Sequence, residues 1–70
     1  MWIRSQDRKI LTEINNLDID DINQILDGSS LLGKYSSEEK ALKLLDEIQK
    51  QIEYPYNEVF QMPQDEDVEV

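Results

Sequence analysis

The sequence predicts an α+β domain: a small antiparallel sheet of three to four short strands packed by one amphipathic helix. Three observations point to it. Residues 37–53 carry apolar side chains at helical period, bounded by a serine cap signal and a proline. Short segments of alternating character precede that helix. Between them, Asp27-Gly28-Ser29-Ser30 has the composition of a hairpin turn.

Taken in order, Trp2 and Ile3 open a short strand, and the run "RSQDRK" at 4–9 reads as the turn that follows it. In that turn Asp7 is expected to accept backbone hydrogen bonds, with Arg4 and Arg8 paired to nearby acids. Leu17 and Ile19 alternate with Asn16, Asp18 and Asp20, a period of two. Ile22, Ile25 and Leu26 lead into the hairpin turn, and Leu31, Leu32 and Tyr35 flank Gly33 in the strand that feeds the helix. Ser36 and Glu39 have the S-x-x-E spacing of a capping box. Ala41, Leu44, Leu45, Ile48 and Ile52 then share one helical face, with Leu42 at its edge. Glu39 with Lys43, and Asp46 with Lys50, are spaced for ion pairs on the opposite face. Pro55 ends the helix, and residues 57–62 read as an edge strand closed by Pro63. Trp2 and Phe60 are expected to anchor the core across the sheet. The domain therefore spans 1–63, with a disordered acidic tail over 64–70.

Residues 7–26 admit a second reading. Ile10, Leu11, Ile14, Leu17, Ile22 and Ile25 also approximate a helical stripe, which would make the domain mostly helical with a short hairpin. Periodicity alone leaves both open.

Composition narrows the chemistry. Seventy residues make one thin-cored domain, and 39% hydrophobic with 33% charged residues is an ordinary globular balance. The absence of cysteine and histidine removes disulfides, thiolate metal sites and the commonest nucleophile–base arrangements. Ser5 therefore has no histidine to activate it. "DIDD" at 18–21 resembles the start of a calcium loop, but Asn23 and Ser29 stand where that loop needs glycine and glutamate. A phosphate site at the helix start is opposed by Glu38 and Glu39. No enzyme activity, cofactor or metal is expected. No apolar run approaches the ~20 residues that span a bilayer, and no signal-peptide block opens the chain, so a soluble, cytoplasmic protein is expected.

Charge is the strongest global feature. The net charge of −9 opposes direct binding to nucleic acid and to anionic membranes. The four acids of residues 64–70 carry part of it, leaving −5 for residues 1–63. No Lys or Arg occurs from Ile10 to Gly33, an interval that holds Asp18, Asp20, Asp21 and Asp27. These four, supported by Glu38 and Glu39, are the candidate contacts for a partner with a basic surface, a nucleic-acid-binding protein among them. Arg4 and Gln6 are candidate specific contacts. Tyr54 and Tyr56, flanking Pro55, are candidates for exposed interface aromatics.

Three blocks carry a resemblance: "MWIRSQD" at the start, "LGKYSSEEKALKLLDEIQ" at 32–49 and "VFQMPQDEDVE" at 59–69. In the same order, they are similar to blocks in small uncharacterised proteins of phages and mobile elements of Gram-positive bacteria. That resemblance covers about half the chain and implies a context, with no catalytic residues to carry over. By analogy of class, small acidic phage proteins often block a host protein, and some imitate the charge of DNA, as anti-CRISPR inhibitors do. The expectation is thus an inhibitor acting in the cytoplasm of a bacterial host on a CRISPR effector or other defence protein. A self-associating structural or regulatory phage component, such as a homodimer joined through a sheet edge or the helix, is the alternative.

Overall fold

Side chains two apart on a strand share a face, so Trp2-Ile3-Arg4 can bury either its middle residue or its outer two. The computed structural model, which describes residues 1–54 and 59–70, buries Ile3 completely and turns Trp2 and Arg4 outward. This segment is β1 (Trp2–Arg4). It lies at the centre of one three-stranded sheet, antiparallel to β2 (Leu11–Glu13) and parallel to the last strand, Val59–Gln61. Trp2 is 45% exposed, so it is not the core anchor expected; Phe60, opposite Ile3, faces inward and packs on the core.

A second three-stranded sheet is an antiparallel meander of β3 (Leu17–Ile19), β4 (Gln24–Asp27) and β5 (Ser30–Lys34). The β4–β5 hairpin turns at Gly28-Ser29, with Gly28 at φ 61, the position a II′-type turn reserves for glycine. Leu32 is an extra residue in β5: Leu31 faces Leu26 and Gly33 faces Ile25. The α+β class holds, with six strands in two sheets in place of three to four in one. Residues 11–13, 17–19 and 24–27 are strands, so the helical reading of 7–26 is excluded.

Helix α1 (Glu38–Glu53) connects the meander to β6 (Val59–Gln61). Its cap is Ser37 and not Ser36: the Ser37 side chain accepts from Lys40 N, and Glu39 closes no capping box. Ala41, Leu44 and Ile48 are buried, whereas Ile52 and Leu42 are about half exposed. They join Ile3, Ile25, Leu32, Tyr35, Met62 and Val68 in one core drawn from both sheets and the helix. The expected Glu39–Lys43 and Asp46–Lys50 ion pairs are not formed; among the described residues the one salt bridge is Lys40–Asp65 at 3.5 Å.

That salt bridge belongs to the segment expected to be disordered. Residues 64–70 instead fold over the helix through a short 3₁₀ turn, Asp65–Asp67. Val68 enters the core, Asp65 accepts the Ser36 amide at 2.8 Å, and Lys40 and Lys43 donate to the Asp65 and Glu69 carbonyls. Val68, the Asp65 and Gln64 hydrogen bonds and two lysines on α1 hold this otherwise acidic run against the domain.

Candidate functional site

The two sheets are joined through the turn after β1, in which Ser5, Gln6 and Asp7 bond to internal partners. Ser5 is buried; its hydroxyl donates to Asp7 Oδ1 at 2.6 Å and accepts from Ile10 N at 3.0 Å. Asp7 Oδ1 also accepts from Lys9 N. The Ser5 hydroxyl, then the Lys9 amide, hold the Asp7 carboxyl below the usual range. Gln6 closes the seam between sheets. Its backbone N–H donates to Leu32 O at 2.7 Å, and its carboxamide bonds both backbone groups of Lys34 as well as Pro63 O. Gln6 is therefore a connector, with its side chain turned to internal partners.

The four aspartates divide by role. Asp20 Oδ1 accepts from Ile22 N and Gln24 N, shaping the β3–β4 turn in which Asn23 adopts φ 63. Asp27 accepts from Asn15 N and Asn16 N, holding the entry to β3. Asp18 and Asp21 are exposed. Glu38 and Glu39 are exposed in the first turn of α1, where they also complement the helix dipole. Tyr54 is 65% exposed at the helix C-cap, its N–H donating to Lys50 O. Tyr56 lies outside the described residues.

Arg4 is placed differently from the expectation. Its Nε donates to the Arg8 carbonyl at 3.1 Å, and neither arginine pairs with an acid among the described residues. Arg8 stands at φ 68, a left-handed conformation that costs a non-glycine residue about 1–2 kcal/mol. Arg4, Arg8 and Lys9 line one open groove together with Leu11 and Val59.

That groove runs into the outer face of the β2–β1–β6 sheet. Register sets Glu13, Trp2 and Val59 in one cross-strand row and Leu11, Arg4 and Gln61 in the next. Trp2, Leu11 and Val59 are all between 43% and 58% exposed, so one face gathers three large apolar side chains around an arginine. Sequence reading missed this surface by assigning Trp2 to the core. A signal was present: Arg4 shares the parity of Trp2, and an arginine is rarely buried unpaired.

Beneath the opposite sheet, the Tyr35 ring lies against Gly33, where a Cβ would come within 2.8 Å of Cε2. Its hydroxyl donates to Pro63 O at 2.8 Å. Burial, then the Asp65 charge, raises the Tyr35 pKa well above the ordinary phenol value. Asp65 is held low, chiefly by the Ser36 amide. Among the described residues no group of three acids is placed to hold a metal ion, and no helix is long and apolar enough to cross a membrane.

No protein family, curated protein or solved structure matches the chain at a significant level.

Proposed function

We propose that this chain is a non-enzymatic binding protein that engages a partner protein through the outer face of the β2–β1–β6 sheet. The observation that carries the reading is Trp2, 45% exposed on the central strand of that face, with Val59 beside it and Leu11 beside Arg4 in the next row. Tryptophan and arginine are the residues most enriched among interface side chains that dominate binding energy. A chain this small, with a thin core, has a folding use for every apolar side chain it can bury, and leaving its one tryptophan half out forgoes that stabilisation. The partner proposed is a host protein, a CRISPR effector or other defence protein by class, met in the bacterial cytoplasm.

A second reading keeps the acidic surface as the docking surface, in the manner of a DNA mimic facing a basic host protein. It is favoured by the exposure of Asp18, Asp21, Glu38 and Glu39 and by the absence of any cation from Ile10 to Gly33.

Site-specific photo-crosslinking in the host separates the two. A photoreactive residue in place of Leu11 is expected to capture a partner, and one in place of Asp21 is expected to capture none. The reverse pattern supports the second reading. Adducts of the chain with itself, together with a stable homo-oligomer by light scattering, would favour a self-associating component.

A further inference from the structure

Three of the seven cations of a chain with net charge −9 stand together on one groove. Arg4, Arg8 and Lys9 line it with Leu11 and Val59, and no acid among the described residues forms an ion pair with any of them. The nearest acid in sequence, Asp7, is engaged by Ser5 and by the Lys9 amide, and its charge also attracts Lys9 without forming an ion pair. Arg8 holds its place in a left-handed conformation where glycine would fit without strain. Cationic charge therefore stands at the edge of an exposed apolar face, in a chain whose other charged residues are 16 acids and four lysines (seven cations less these three).

Resting on the binding reading above, we infer that this face takes an acidic, apolar-bearing segment of a partner protein, with carboxylates at Arg4, Arg8 and Lys9 and apolar side chains on Trp2, Leu11 and Val59. Complementary charge selects the carboxylates, and the exposed tryptophan, leucine and valine select their apolar neighbours. A nucleic-acid strand is the poorer occupant. Its phosphates continue along the backbone past the groove, where they meet the acidic remainder of the surface. A short peptide segment feels mainly the charges within a Debye length, roughly 8 Å at physiological salt. Glu13, at the far end of the Trp2 row, marks the limit of the acid-accepting region.

Trp2 is the only tryptophan, so its emission reports occupancy of this face directly. The test titrates the full chain with three probes: a synthetic peptide alternating Glu with Leu, the same peptide with Lys for Glu, and single-stranded oligothymidine. The Glu/Leu peptide is expected to shift Trp2 emission to the blue and to saturate, with affinity falling as salt rises. Arg8→Gly combined with Lys9→Gln should weaken it on the order of fivefold, the scale of two exposed charge pairs. Arg8→Gly relieves the left-handed strain, so circular dichroism of the variant should show an intact fold. No saturable emission change with the Glu/Leu peptide overturns the inference, as does oligothymidine displacing that peptide. Binding of the Lys/Leu peptide with Trp2 emission unchanged also overturns it, while leaving a binding function in place on the acidic surface.

Discussion

The Gln6 carboxamide bonds Lys34 as a neighbouring strand would: Oε1 accepts from Lys34 N at 3.0 Å, and Nε2 donates to Lys34 O at 3.1 Å. A side-chain amide has the donor–acceptor pair of a peptide group, and here it continues the edge of β5 across to the turn after β1. Nε2 also reaches Pro63 O, so one residue ties both sheets to the C-terminal segment. Gln6→Ala is expected to cost about 1–2 kcal/mol, from the partly exposed bonds it removes. Gln6→Glu should cost more, because a carboxylate would face the Lys34 and Pro63 carbonyls without a donor. Urea unfolding of the two variants checks the order.

The Gly33–Tyr35 contact makes a second prediction. Gly33→Ala sets a methyl 2.8 Å from a buried ring, and overpacking of this kind costs about 1–3 kcal/mol. Tyr35 stays protonated in the fold beyond the pH at which a free tyrosine ionises, so stability should fall as pH rises above about 10. Tyr35→Phe should remove that alkaline loss, at the expense of the bond to Pro63 O.

In acid the sign is opposite. The Asp7 and Asp65 carboxyls are held below the ordinary carboxylate range, so the unfolded chain takes up protons first as pH falls. Stability is therefore expected to be steady near neutrality and to decline below about pH 4. Asp65→Asn should make that decline shallower in a series of thermal melts, and it should loosen the Val68 segment, seen as faster amide exchange at Ser36.

Helix capping is a sharp test of one position. Ser37→Ala removes the acceptor for Lys40 N and should cost about 1 kcal/mol, whereas Ser36→Ala removes no cap and should cost less, only its side-chain contact with Asp65 being lost. Equal losses would contradict the assignment.

The outward placement of Trp2 also has a stability signature. Ile3→Ala empties a fully buried site and should cost about 2–5 kcal/mol, enough to unfold a marginal domain. Trp2→Ala should leave a cooperative melt, because the ring is only half covered.

What could be read from the chain was whatever local physics decides. Helix α1 announced itself through its apolar period and Pro55, and the β4–β5 hairpin through Asp27-Gly28. Leu17 with Ile19 marked β3 by alternation, and Leu31, Leu32 and Tyr35 around Gly33 marked β5, where Leu32 is buried and Leu31 exposed. Strand β2 was hidden because Ile10, Leu11 and Ile14 fit a helical stripe as well as a three-residue strand. The cap slipped by one because two adjacent serines are locally equivalent; the choice is made by Asp65, 29 residues away, taking the Ser36 amide. The acidic tail read as disordered since its one buried side chain, Val68, and the bonds of Asp65 have meaning only against α1 and the segment before it. The candidate site was the least legible part. Asp20, Asp27 and Gln6 looked like surface chemistry and proved to hold turns and seams, while Trp2 looked like core and stands outside.

Binding through the outer face of the β2–β1–β6 sheet is tested most directly by residue-by-residue NMR of the isotope-labelled chain. On titration with the Glu/Leu peptide, the Trp2 indole and the amides of Arg4, Leu11 and Val59 should shift together and saturate together. Shifts confined to Asp18, Asp21, Glu38 and Glu39, or none at all, would contradict it.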